Sequence, residues 1–199
     1  MKKNHIYTAI LLAVLLIVGF SWFWRNQGNS TQQTAVDQAD QEAQSVERTI
    51  TKTSFNILAP TGWAEIVAPA NTSLLIVNTA EKFPNPILEK LNFKTYYALT
   101  DKSLNGSDLS GFIAETKTQL AGLYPLMKLE PLPSRLVNGK EVKIFGGEMV
   151  EQGAQFKMML AFFAGKNNDA WTLSFNTGAD NWEVYQPVIN SVIDSFKLN

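Results

Sequence analysis

Cysteine is missing from all 199 residues, and histidine occurs once, at His5. The first absence removes disulfides, thiolate zinc sites, a nucleophilic thiol and a lipidated N-terminal cysteine. The second removes a His-based triad, a His metal cluster and a His general base from everything beyond the first few residues. An excess of charge is lacking too. The chain has 17 Lys plus Arg against 18 Asp plus Glu, and from Ile50 onward the count is 13 against 14. No basic face is available for nucleic acid, so none is expected among the partners. The motifs G-x-S-x-G and S-x-x-K do not occur, nor does a P-loop or a G-x-G-x-x-G following a strand. The sequence therefore implies no cofactor.

What is present begins with Ile6–Trp24, an uncharged run of 19 residues. As a helix at ~1.5 Å per residue it would reach about 28 Å, close to the ~30 Å hydrocarbon thickness of a bilayer. A single span in lipid must be helical to satisfy its own backbone groups. Lys2 and Lys3 precede the run, Arg25 follows it, and Trp22, Phe23 and Trp24 cluster at its far end. That charge asymmetry puts the N-terminus in the cytoplasm and the body outside. Residues 1–25 are thus expected to be a transmembrane signal anchor, with the lipid bilayer as partner. A cleaved secretory signal is the rival reading, although the run exceeds a usual apolar core and no A-x-A site follows it. A type IV pilin would need a Glu just inside the run, which is missing.

Residues 26–49 are rich in Gln, Asn, Ser, Thr and Ala with hardly a large apolar side chain, so they read as a polar linker unable to offset its ordering entropy. Asn29, Asn71 and Asn105 start glycosylation-type triplets, but such matches arise by chance in a chain of this composition, and nothing is drawn from them.

Residues 50–199 carry the periodicities of one folded domain. Short extended runs are expected over Ser54–Leu58, Trp63–Val67, Leu74–Val77 and Phe93–Leu99, with Pro84 and Pro86 leaving Glu81–Leu91 irregular or at most a turn of helix. Ser107 is placed to cap a helix reaching about Tyr124, whose Leu109, Phe112, Ile113, Thr116, Leu120 and Leu123 form one face. A meander follows from Met127. Asn138-Gly139 is a two-residue hairpin turn, and Gly146-Gly147 signals a bulge or a close backbone approach. Residues 156–163 are apolar on both alternating faces, as a strand buried on two sides requires. A final strand over Trp171–Phe175 leads to a helix over Asp180–Phe196, where Pro187 in the second turn is expected either to kink it or to delay its start. Short connections favour antiparallel pairing, and the order of elements predicts an α+β domain.

The opening Phe55-Asn56-Ile57-Leu58-Ala59-Pro60-Thr61-Gly62-Trp63 resembles the strand-Pro-x-Gly-Trp start of PsbP-like domains. Trp171-Thr172-Leu173-Ser174-Phe175, followed by a helix closing on Ser195-Phe196-Lys197, resembles that family's last strand and its I-x-S-F finish. The resemblance covers Thr51 to Lys197. It implies an α/β/α sandwich with a central antiparallel sheet and flanking helices. It also implies roles of the kind held by photosystem II extrinsic subunits, bacterial envelope proteins and a nuclear import factor that binds a small GTPase. Those roles share binding and assembly rather than one reaction, so fold alone does not choose among them.

The expected function is a membrane-tethered extracytoplasmic binding or assembly module of a bacterial envelope, not an enzyme, with another envelope protein as partner. Trp63, Tyr96, Tyr97 and Trp182 are the candidate partner surface, since Trp and Tyr are enriched at binding hot spots while also serving as ordinary core residues. The alternatives are a carboxylate- or divalent-ion-dependent hydrolase, for which Asp101 with Asp108 or Glu148 with Glu151 would be the acids, and a small-molecule or lipid carrier.

Overall fold

The computed structural model describes residues 47–199. The expected anchor and nearly all of the expected linker lie outside them. Among the described residues no helix is long and apolar enough to cross a membrane.

Ten strands and three α-helices follow one another along these residues. Strand β1 (Arg48–Thr51) pairs with β2 (Phe55–Ala59), and β2 pairs on its other side with β10 (Lys197–Leu198), closing a three-stranded antiparallel sheet. The larger sheet has seven strands: β3 (Trp63–Glu65), β4 (Leu74–Asn78), β5 (Tyr96–Ser103), β6 (Lys128–Val137), β7 (Lys140–Glu151), β8 (Ala154–Ala164) and β9 (Asp169–Gly178). Their order is β3-β4-β5-β9-β8-β7-β6, and every pairing is antiparallel. Helix α1 (Pro86–Lys90) follows β4, α2 (Leu109–Leu123) joins β5 to β6, and α3 (Trp182–Ser195) follows β9 after a 3-10 turn at Ala179–Asn181. The domain is α+β, as its element pattern predicts.

Two apolar clusters lie on opposite faces of the large sheet. Phe156, Met158, Leu160 and Phe162 of β8 join Phe112, Ile113 and Leu120 of α2 in one. Met159, Ala161 and Phe163 join Ile189, Val192 and Ile193 of α3 and the small sheet in the other. Successive strand residues point to opposite faces, so a strand covered on both sides must be apolar at nearly every position. This strand is.

Four local expectations change. The N-cap of α2 is Asp108, whose side chain accepts from the Gly111 amide at 2.7 Å, rather than Ser107. Gly146 and Gly147 sit in unbroken register with both neighbouring strands, and the irregularity lies in β6 between Leu132 and Arg135. The second half of the glycine reading holds instead: a Cβ on Gly147 would come within 2.9 Å of Leu129, and one on Gly146 within 3.2 Å of Leu132. Strand β5 continues past Leu99 to Ser103, held there by β9. Helix α3 runs through Pro187 and starts at Trp182, because the 3-10 turn takes up the residues before it. The Asn138-Gly139 turn has positive φ at both positions (49° and 76°), the backbone a two-residue hairpin demands.

Candidate functional site

The sequence candidates part company in three dimensions. Trp63 is buried and stacks between Tyr97 and Phe175, with Tyr185 edge-on at 5.8 Å. Tyr97 is buried beside it and donates to the Leu58 carbonyl at 2.5 Å. Tyr96 is buried in the cluster under α2, on the opposite face of the sheet. These three side chains present no area to a partner, because both faces of β3–β5 are covered. The four candidates therefore do not form one surface. Trp182 alone is half-exposed.

The acidic alternatives separate in the same way. Asp108 caps α2, and Asp101 accepts from Ser73 Oγ at 2.5 Å. Glu148 pairs with Lys157 at 3.0 Å, while Glu151 lies near Tyr124, whose phenol is raised by burial first and then by that carboxylate. Among the described residues no group of three or more His, Cys, Asp or Glu could hold a metal ion.

Around Trp182 a groove of about 450 Å³ opens on the α3 side of the sheet. Cross-strand partners share a face, so register fixes its floor. Lys128, Glu148 and Lys157 form one rung across β6, β7 and β8, followed by Glu130, Gly146 and Met159, then Leu132, Ile144 and Ala161. At Gly146 the middle rung has no side chain, and the Leu132 side chain packs over that position. Leu132 and Trp182 line it, and Leu126, 94% exposed, stands at its mouth. The Lys157 ammonium lies 5.9 Å from the Trp182 ring while paired to Glu148, which orients the indole through a cation–π contact. Two lysines and two glutamates line the groove, so its charges balance. An aromatic wall, an apolar floor and charges of both signs suit a protein segment better than a single ion.

A second opening, about 470 Å³, lies at the far end of the same face between Ser73, Asp101, Lys166 and Asp169. Its polar groups are already engaged. Asp169 accepts from Trp171 Nε1 and from the Asn167 amide, both at 2.9 Å, and Lys166 donates to the Asn199 carbonyl.

Sequence reasoning missed Glu81. Its side chain is 6% exposed, behind the start of α3. The carboxylate accepts from the Thr95 amide, from Thr95 Oγ1 at 2.9 Å and from Asn181 Nδ2 at 3.2 Å. Tyr185 stands nearby; its phenol, which accepts from Asn78 Nδ2 at 2.9 Å, is raised by burial first and then by the neighbouring Glu81. Thr95 Oγ1 gives its only proton to Glu81, so in the 2.8 Å contact with Thr177 Oγ1 it is Thr177 that donates. An acid in a proline-rich stretch carries no sequence signal that it will be buried.

No protein-family profile matches the sequence, and no curated protein does. Solved structures do match. LpqN, described as involved in cell envelope biogenesis of Mycobacterium tuberculosis, superposes with a TM-score of 0.53 at 11% identity, covering 77% of this chain and 90% of that one. Cyanobacterial PsbP (CyanoP) from Synechocystis gives 0.51 at 9% identity over 77% and 93%. The Saccharomyces cerevisiae Ran-binding protein Mog1p gives 0.51 at 15% identity over 76% and 95%. The described domain has the PsbP-like fold. At these identities the likeness concerns fold alone.

Proposed function

We propose that this chain is an extracytoplasmic binding or assembly module, held at a membrane by the Ile6–Trp24 run, that docks a protein partner in the groove beside Trp182. The carrying observation is the half-exposed indole beside an open groove whose lining charges balance. Such aromatic anchors flanked by free space are where binding energy concentrates. The fold supports the same reading: LpqN is tied by its description to envelope biogenesis and Mog1p to binding Ran. The chemistry of the groove supports it too, since it offers charges of both signs, of which Lys157 and Glu148 already pair with each other.

The test is photo-crosslinking from Leu126 in the full-length chain in its own membranes, with and without Trp182→Ala. One discrete crosslinked protein is expected. Losing a hot-spot tryptophan, at about 2 kcal/mol or more, should lower its yield roughly 30-fold. Equal yields would remove the groove from consideration. Recovery of the intact chain in the soluble fraction would remove the tether.

A further inference from the structure

The start of α3 is built in an unusual way. Asn is among the best helix N-caps, because its side-chain oxygen can accept from an unpaired amide of the first turn. Asn181 stands at that position, yet its side chain makes no capping bond, and neither does Gly178 ahead of the 3-10 turn. The Asn181 amide donates instead to the buried carboxylate of Glu81. The next residue is Trp182.

The Glu81 carboxylate accepts three hydrogen bonds, all from neutral groups, against the roughly four lone-pair directions it offers. Its position beside the first turn of α3 adds the positive end of the helix dipole. The donors come from Thr95, just ahead of β5, and from Asn181, just ahead of Trp182. Thr177 at the end of β9 makes a second tier. The carboxylate thus ties the start of the helix that carries the groove wall to the residue ahead of β5 and, through Thr95 and Thr177, to β9. A polar node confined to the inner core would not need to take the capping side chain of a helix.

We propose that Glu81 is the positioning residue of the Trp182 groove: through Asn181 it holds the start of α3 against the sheet and so sets where the indole stands. The importance of that position to binding rests on the docking reading above; the positioning itself does not. Asn181→Ala removes the link next to Trp182 without removing a helix cap, because that side chain caps nothing. Glu81→Gln keeps the size of the side chain but turns an acceptor into a donor facing donors.

The experiment labels the full-length protein, solubilised in detergent, with 5-fluorotryptophan and reads its fluorine resonances, assigning Trp182 by Trp182→Phe. Trp171, packed on Phe55 and Phe196 at the other end of the sheet, is the internal control. Loss or displacement of the native Trp182 resonance is expected in both Glu81→Gln and Asn181→Ala, with Trp171 unmoved. Should Glu81→Gln not fold, Asn181→Ala decides alone. An unmoved Trp182 resonance in Asn181→Ala overturns the proposal, as does a Trp171 resonance that moves equally, which would make Glu81 a staple of the whole fold. Crosslinking from Leu126 that survives both Trp182→Ala and Asn181→Ala would sink the docking reading while leaving the positioning role standing, because the resonance reports it without a partner.

Discussion

At the scale of single residues, the buried phenols make the strongest prediction about pH. Burial raises Tyr96 well above its ordinary value. It does the same to Tyr97, with the Glu65 charge adding, and to Tyr185, with Glu81 adding. In the unfolded chain each phenol loses its proton near pH 10. Above that pH the native state binds more protons than the unfolded one, so stability is complete below about pH 10 and falls as pH rises toward the native values. Denaturant titrations between pH 8 and 11 should show this alkaline loss, shallower in Tyr97→Phe, with tyrosinate absorbance rising only as the protein unfolds. Absorbance that rises ahead of unfolding would contradict it. A second prediction concerns Gly178, whose backbone is ordinary but whose missing Cβ leaves room for Leu88 at 2.6 Å and Phe83 at 3.0 Å. Both neighbours are buried and cannot give way freely. Gly178→Ala should therefore cost about 1–3 kcal/mol by overpacking, read as a lower denaturation midpoint at unchanged slope. The paired Gly146-Gly147 advertised close approach in the sequence; the tighter case was a lone glycine, visible only once α1 folds back over the end of β9.

At the scale of elements, α2 separates its two candidate caps. Asp108 bonds to the Gly111 amide, whereas Ser107 reaches only the Asp108 carbonyl at 3.4 Å. Asp108→Ala should lose about 0.5–2 kcal/mol and Ser107→Ala much less, a contrast that paired thermal melts would resolve; equal losses would contradict it. The cap missed by one residue because Ser-Asp offers two suitable side chains and only backbone geometry decides between them. Larger periodicities were legible. The two-faced apolar pattern of β8 already implied cover on both sides, and the alternation in Trp171, Leu173 and Phe175 put them on one face, where they now lie with α3. Strand β10 was not legible: Lys197-Leu198 has no pattern of its own and becomes a strand only because β2 offers it an edge. The same dependence hid the fate of Trp63 and Tyr97. Their faces follow from local alternation, but burial follows from the small sheet and α3, which arrive from both ends of the domain.

At the scale of the whole molecule, the body and its groove are both near charge neutrality, with 13 basic against 14 acidic residues from Ile50 and Lys128 and Lys157 against Glu130 and Glu148. Long-range steering toward a charged partner is therefore weak, and raising ionic strength should change capture little. A binding surface of this kind gains most from being confined near its partner. Physical linkage turns a second encounter into an intramolecular one and raises overall avidity by about 10²–10⁴ without a new contact. On the proposed topology, the Ile6–Trp24 run and the polar stretch after it supply that confinement. Residues 47–199, which hold every element described above, should bind an isolated partner in solution as tightly as the full chain does. At the membrane they should need a hundredfold or greater excess to displace the full-length protein from it. Competition between the two forms, titrated on isolated membranes and scored by crosslinking from Leu126, measures the factor. Displacement at equal concentrations would mean that the N-terminal run contributes nothing to binding, and the domain would then have to recognise its partner by the groove alone.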